Sequence, residues 1–522
     1  MLVLTAQEMA GLDGRTIKEI GIPGIVLMEN AARGAADFFM RVVPDLLERR
    51  ITVVAGSGNN AGDGFVLARI FHLKGSDVRV VCLRPPEKLA GDALTNFSIL
   101  EKIGVPVAIW NEAEDFEKQW PVIGESGLVI DALLGTGLNT EVRGLYRQVI
   151  ERINTLEIPV LAVDIPSGLH GSTGRVLGTA IKATATATFG FLKVGHVVEP
   201  GTELVGHVEV IDIGIPAGLA KAAGIKRYWL THEFLSRWIE PRDPTVHKGR
   251  AGHVCVLSGS LGKTGAATLV CLGAARAGAG LVTLFTPQSL NPILEVKLTE
   301  AMTYPIRETA AQTPASAALP EILDFLEGKS ALAMGPGIST EADTAALVKE
   351  LILRARCPMV LDADAITAVS KDPNLLREAS APLVLTPHPG EMARVAHRSI
   401  SEIQQNRLES ATEFSREYGV VLVLKGHRTV IAGPDGQLAI NSSGNPAMAS
   451  GGMGDTLTGI IAGLLAQGFE PFKAACLGVY VHGTACDRIM EGVGSRGLLA
   501  TDMLDEVPPV IGSLEGVRES HE

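Results

Sequence analysis

Short apolar runs that each end at a polar residue or a glycine, with helix-spaced segments between them, recur along this 522-residue chain. Residues 51–55, 78–82, 128–131 and 160–164 predict buried strands, and the spacing predicts helices over 64–74 and 145–153. Strands of this kind joined by helical crossovers form a parallel sheet covered on both faces, with its ligand chemistry at the strands' carboxyl ends. The pattern stops at a short connector, 215–225, and restarts with strands predicted at 252–257, 281–285, 331–334, 359–362, 383–385 and 420–424. A boundary near residue 220 follows, since one hydrophobic core stops growing well below this length. The polar stretch 513–522 is expected to fray.

Composition narrows the function. The formal net charge is −12, and no basic run is longer than the pairs Arg49-Arg50 and Lys226-Arg227, which excludes the basic stripe of a nucleic-acid binder. Anionic ligands must then be held by backbone amides and a few side chains. The six cysteines have no zinc-ligand spacing and sit in apolar stretches, as buried thiols of a reducing compartment do. With no signal-peptide pattern and no apolar run of membrane length, a cytoplasmic protein without a membrane partner is expected. Large α/β surfaces suggest a homo-oligomer.

The first chemical signal is Gly56-Ser-Gly-Asn-Asn-Ala-Gly-Asp-Gly64, running from a strand into a helix. Such a turn presents unpaired N–H groups suited to phosphate. A dinucleotide fingerprint also fits Gly56-x-Gly58-x-x-Ala61, but the next strand ends in Leu83-Arg84-Pro85, not in the required acid. Asp131 and Asp164 both end apolar strands and are followed by glycine-containing loops, which predicts that both point into one cleft.

These segments, with Asp131-Ala-Leu-Leu-Gly-Thr-Gly-Leu138, Val163-Asp-Ile-Pro-Ser-Gly168, Ala187–Lys193 and Pro200-Gly201, resemble the NAD(P)H-hydrate epimerase family in order and spacing. The resemblance implies a potassium ion held by Asn60, Asp131 and Ser167. It also implies dinucleotide binding by Asn59, Asn60, Ala61, Gly62 and Asp63, and by Gly135, Thr136, Gly137, Leu138, Asn139, Thr140 and Glu141. Asp164 would contact the hydrated nicotinamide riboside. The implied chemistry interconverts R and S hydrates, with proton transfer by Asp131 or Asp164 as the C–O bond opens and closes.

The second signal is Gly451-Gly-Met-Gly-Asp455 ahead of a helical pattern, an anion hole beside a carboxylate base. Asp362-Ala-Asp364, Thr386-Pro-His388-Pro-Gly-Glu391 and Lys425-Gly-His-Arg-Thr429 each follow a predicted strand and are expected at the same sheet edge. With His247-Lys-Gly-x-x-Gly-His-Val254, Gly265-Ala-Ala267 and Gly335-Pro-Gly337, they resemble the ADP- or ATP-dependent NAD(P)H-hydrate dehydratase family. That resemblance implies Asp455 as catalytic base and substrate contacts at Ala266, Gly337, His388 and Asp455. It implies adenine-nucleotide contacts at Lys425, Gly426, His427, Arg428, Thr429 and Gly454. Mg²⁺ is expected with the phosphates, and Glu391, Asp362 and Asp364 are the oxygen ligands to test. Gly259-Ser-Leu-Gly-Lys-Thr264 is too short between its glycines for a P-loop, and His482 with Cys486 suits core packing better than metal.

The fold class expected is α/β: a Rossmann-like three-layer αβα domain over 1–218, then a ribokinase-like αβα domain over 226–515. The function expected is repair of NADH and NADPH hydrates by epimerisation and by ADP- or ATP-driven dehydration, with K⁺ and Mg²⁺. The alternative is a ribokinase-like kinase for a small alcohol carrying an N-terminal scaffold domain.

Overall fold

The structure, a computed structural model, describes residues 1–516. Residues 2–225 form one compact unit, and the chain from 226 onward, with Met1, forms the other.

The first unit is built on a seven-stranded, wholly parallel sheet. In spatial order its strands are Val107–Ile109, Val78–Cys82, Ile51–Ala55, Leu128–Ala132, Val160–Val163, Ala185–Phe189 and His207–Ile211. The chain starts in the middle at 51–55, moves outward to 107–109, and then crosses back to lay 128–132 on the other side. Strand order therefore reverses between 51–55 and 128–132, where α/β sheets open a ligand crevice. Val53 and Ala55 pack into a cluster with helices Gly24–Val42 and Asn59–Leu73, while Val54 joins a second cluster with helix Gly144–Ile153. Both sheet faces are thus covered, which explains why the central strands 51–55, 128–132 and 160–163 are nearly continuous apolar runs.

Helix Asn59–Leu73 begins five residues earlier than the sequence spacing predicts. Its glycines serve close packing: a Cβ on Gly62 would lie 2.6 Å from Met28 Cε, and one on Gly64 would lie 2.5 Å from Ala132 Cβ. Residues 59–64 are therefore the first turns of a helix, buried from Asn60 onward.

The second unit contains a ten-stranded sheet in the order Arg227–Leu230, Leu438–Asn441, Val430–Ala432, Val421–Leu424, Leu383–Leu385, Met359–Leu361, Ala331–Met334, His253–Leu257, Leu281–Pro287 and Met302–Ile306. Only the pairings of 421–424 with 430–432 and of 430–432 with 438–441 are antiparallel. Val254 and Val256 enter one core cluster and Cys255 and Leu257 the other, so this sheet is also the middle of three layers. Helix Met453–Ala466 packs against helix Thr264–Arg276 through small residues. A Cβ on Gly459 would fall 2.1 Å from Val270 O, and one on Gly463 would fall 2.6 Å from Ala274 O. Those two glycines allow backbone-to-backbone approach and so fix where the helix N-terminus meets the sheet edge.

All six cysteines are buried and free, as expected. Among the described residues no helix is long and apolar enough to cross a membrane. The expected fraying does not hold for 513–515: helix Val507–Glu515 is anchored by fully buried Val510 and Leu514, and residues 517–522 lie outside the described residues.

Candidate active sites

A cavity of about 660 Å³ opens where strand order reverses in the first unit. It is lined by Asn59, Asn60 and Asp63, by the whole stretch Gly135, Thr136, Gly137, Leu138, Asn139 and Thr140, and by Asp164. Three residues of the sequence reading stand elsewhere. The amides of Ala61 and Gly62 both donate to Gly58 O, at 3.0 and 3.3 Å, so neither is free to hold a phosphate. Glu141 is exposed and paired with Arg143 at 2.8 Å.

The two strand-end aspartates occupy different environments. Asp131 lies within strand 128–132, has no exposed surface, and does not line the cavity. It accepts the Ser167 N–H at 2.7 Å, the Ser167 hydroxyl at 2.5 Å and the Leu133 N–H at 3.3 Å. Burial pushes its carboxyl up to about 6, against the pull of those hydrogen bonds. The expectation that both acids face the cleft holds for Asp164 alone, which sits one residue past its strand at φ 63°.

Lys193 lies behind Asp164 with no exposed side-chain surface, its ammonium 2.5 Å from Asp164 Oδ1. Its other two bonds go to Thr188 Oγ1 and Phe189 O, both at 2.9 Å. Burial pushes the Asp164 carboxyl up, but Lys193 outweighs it and holds the group below its ordinary range. His196 Nδ1 accepts the Lys193 N–H at 3.0 Å, so Nε2 carries the proton and donates to Asp164 O at 3.0 Å. Burial lowers that imidazole to about 3 and keeps it neutral. In the sequence Lys193 closes the 187–193 motif and carries no role of its own; its signal is a lysine inside an otherwise apolar segment.

Asn60 is buried, and neither its amide oxygen nor its nitrogen has a hydrogen-bond partner. It packs against Gly135, where a Cβ would lie 3.1 Å from Asn60 Cβ. The same loop is pinned by Ser167, whose hydroxyl accepts the Leu134 N–H at 2.8 Å. An orphaned amide, a hydroxyl and a buried carboxylate around one loop make an oxygen-rich set of low charge, suited to a monovalent cation. Among the described residues no group of three His, Cys, Asp or Glu could hold a metal.

In the second unit the predicted segments converge on the carboxyl edge of the sheet. Asp362, 1% exposed, accepts Lys425 Nζ at 2.7 Å and the Thr458 hydroxyl at 3.0 Å. Lys425 Nζ also lies 4.0 Å from Glu391. Burial lowers the Lys425 ammonium, but Asp362 and Glu391 outweigh it and raise the group overall. A Cβ on Gly454 would lie 3.3 Å from Lys425 Nζ and 3.5 Å from Asp362 Oδ2, so the first turn of helix 453–466 sits directly on this pair. The N-cap, Gly452, has φ 92° and turns the chain into that helix. Asp455 follows in the first turn, its carboxyl raised to about 6 by burial and by Asp362, with Lys425 opposing.

Ala266 and Gly337 face each other: a Cβ on Gly337 would meet Ala266 Cβ at 3.2 Å. His388 caps helix Pro389–Val395, its Nδ1 accepting the N–H groups of Gly390 and Glu391 at 3.0 and 3.4 Å, while its Nε2 lies 3.4 Å from Glu391 Oε1. Residues 425–429 form the loop of the antiparallel hairpin, closed by Thr429 Oγ1 donating to Gly426 O at 2.9 Å. His427 is exposed, whereas Arg428 is committed to Ser442 O at 2.7 Å and to the Trp229 ring. Beneath the loop Arg407, absent from the sequence reading, donates to Leu424 O at 3.0 Å. The three candidate magnesium ligands are engaged: Asp362 with Lys425, Asp364 with Lys263 at 3.4 Å, and Glu391 with the His388 N–H at 2.9 Å. A magnesium ion here would have to ride chiefly on nucleotide phosphates and water. His482 is core, as expected, 3.2 Å from the Thr456 hydroxyl.

Comparison with known proteins matches residues 24–195 to the YjeF-related protein N-terminus family and residues 254–509 to the NAD(P)H-hydrate dehydratase family. A bifunctional NAD(P)H-hydrate repair enzyme of Moorella thermoacetica is 44% identical over 516 residues, covering 99% of this chain and 97% of that protein. The Escherichia coli enzyme of the same description is 34% identical, covering 97% and 92%. Among solved structures, an ADP/ATP-dependent NAD(P)H-hydrate dehydratase from Bacillus subtilis co-crystallised with ATP and Mg²⁺ is 33% identical, covering 55% of this chain and 99% of its own, with a TM-score of 0.48.

Proposed function

The chain belongs to the family of bifunctional NAD(P)H-hydrate repair enzymes, and from that premise we propose how its two units divide the work. It is an enzyme that restores hydrated NADH or NADPH with the help of an adenine nucleotide. The first unit epimerises the hydrate and the second dehydrates the S form. The small-alcohol kinase is not favoured, because both halves are shared together with full-length relatives.

The observation that carries the second half is Gly454-Asp455 seated on the Lys425–Asp362 pair. Asp455 abstracts a proton from the ring hydroxyl as that oxygen takes up a phosphoryl group, and the amides of the helix N-terminus with Lys425 hold the transferred charge. Loss of phosphate, with a proton leaving the adjacent ring carbon to solvent, then regenerates the double bond. Lys425, Gly426, His427 and Thr429 hold the nucleotide, and Ala266, Gly337 and His388 the substrate. Mg²⁺ would supply charge neutralisation on the phosphates.

In the first unit, Asn59, Asn60 and the 135–140 loop hold the dinucleotide, with Asp164 at the ring. Potassium would sit on Asn60, Asp131 and Ser167 and fix the loop they share; the buried, unpartnered Asn60 amide supports this. Asp131 is then a cation and loop ligand, and proton transfer passes to the cavity acids. Assembly as a homo-oligomer and residence in the cytoplasm complete the proposal, the six buried free thiols suiting a reducing compartment.

The test is recovery of reduced-nicotinamide absorbance from an R,S-hydrate mixture with ADP or ATP and Mg²⁺. Full recovery by the wild type and none by Asp455→Ala is expected. No recovery with either nucleotide would overturn the reading.

A further inference from the structure

We propose that Asp13 is the proton donor to the leaving hydroxyl during epimerisation, with Asp164 as its ionised partner in the same cavity; this rests on reading the first unit as an epimerase. Asp13 stands on helix Ala6–Arg15, outside every motif that marked the site in the sequence. The helix is firmly seated. Thr5 and Glu8 form a capping box at its start, the Ala6 N–H donates to Ser172 Oγ at 2.9 Å, and Met9 and Leu12 are buried. Met9 reaches Gly190, where a Cβ would lie 2.9 Å from Met9 Cε, beside the segment that carries Lys193.

From that position Asp13 lines the cavity with Asp63 and Asp164. Its Oδ1 is buried and has no hydrogen-bond partner. Lys193 cannot supply one, because its three donors already go to Asp164, Thr188 and Phe189 O. A largely buried carboxyl whose Oδ1 finds no donor keeps its proton to a higher pH than usual, whereas Asp164, paired with Lys193, is stable as the anion. The charged groups facing Asp13 are Lys193 and Asp164, with Asp63 adding a third acid. Burial, the largest effect, raises the Asp13 carboxyl to about 6, while the neighbouring Asp164 is lowered. Two carboxyls driven apart in one cavity are an acid and a base assigned by environment.

The hydrate carries its hydroxyl on the carbon next to the ring nitrogen. As the C–O bond breaks, its electron pair stays on oxygen and the Asp13 proton joins it, so water leaves. The nitrogen lone pair closes a C=N bond, and the Asp164 carboxylate opposes the resulting ring cation. Water returning to the opposite face forms the new C–O bond and gives a proton to Asp164. Exchange through the open cavity returns that proton to Asp13, and nothing is oxidised or reduced.

The experiment uses the full chain without nucleotide, purified R hydrate as substrate, and chromatographic separation of R from S after subtracting spontaneous epimerisation. Asp13→Asn should lower kcat by about 100-fold with KM changed by less than about threefold, and Asp13→Glu should restore part of the loss. Wild-type kcat should fall as pH rises through about 6, and Asp13→Asn should flatten that limb. Urea unfolding of the first unit at the wild-type midpoint reports that the variant has folded, and dehydration of purified S hydrate with ADP or ATP and Mg²⁺ reports that the other unit is intact. Asp13→Asn that keeps wild-type kcat, or that changes KM alone, overturns the proposal. A wild-type chain that does not epimerise at all overturns instead the epimerase reading beneath it.

Discussion

Lys193 and Asp164 form an ion pair 2.5 Å long in which the ammonium has no exposed surface and the carboxylate little. Such a pair adds little net stability while intact, but removal of one partner strands a buried charge. The acids Asp13 and Asp63 lie in the same cavity, so the Lys193 charge acts on three carboxyl groups.

Lys193→Met should therefore destabilise the first unit by about 3–5 kcal/mol in urea unfolding at neutral pH. Lys193 holds the Asp164 carboxyl below its ordinary range. Its stabilising contribution is thus present above the unfolded-state value and lost as pH falls through the folded one. The variant should lose this acid-side decline, so the gap between wild type and Lys193→Met should narrow as pH is lowered. A gap that stays constant with pH would mean that packing, not charge, explains the loss.

The potassium proposal predicts that KCl raises the melting temperature of the wild type more than choline chloride does at equal ionic strength. The buried Asn60 amide finds no protein partner, and a cation would supply one. Asn60→Leu should abolish the potassium-specific increment while leaving dehydration of S hydrate intact. An increment that survives the substitution would place the ion elsewhere.

The central strands of both sheets are legible because doubly covered parallel strands are continuous apolar runs, and 51–55, 78–82, 331–334 and 383–385 coincide with the prediction; strands with polar alternation or few residues, such as 185–189, 207–211 and 107–109, are not predicted. The glycine run 56–64 misled, since glycine that permits close packing and glycine that permits a turn look identical in sequence. Motif loops gave most residues of both candidate sites. What they did not give was contributed by segments distant in the chain: Asp13 from the first helix, Lys193 from an edge segment, and Arg407 beneath the hairpin loop. Nor could apolar flanks distinguish Asp131, buried within its strand, from Asp164, one residue beyond its own.

Lys425→Met should raise the KM for nucleotide and lower stability by about 3 kcal/mol, because Asp362 would remain 1% exposed without its counter-charge. Adding Asp362→Asn to that variant should recover stability without recovering nucleotide affinity. Titration of ADP or ATP by calorimetry separates the two effects, and recovery of both would deny Lys425 a role in binding.

Asp455 gives the sharpest pH prediction. Burial and the neighbouring Asp362 raise its carboxyl to about 6, so the group is mostly ionised at neutral pH and becomes protonated just below it. A general base works only as the anion, so kcat/KM for S hydrate should fall as pH drops through about 6. Asp455→Asn removes the base while keeping its shape, and should cost about 10²–10⁴ in kcat. Because the residual rate no longer waits on that ionisation, its pH profile should be flat over the same range. Epimerisation of R hydrate, measured without nucleotide, should be unchanged by the substitution. An acid limb that persists in Asp455→Asn would assign the titrating group elsewhere, with Asp364 next to be replaced.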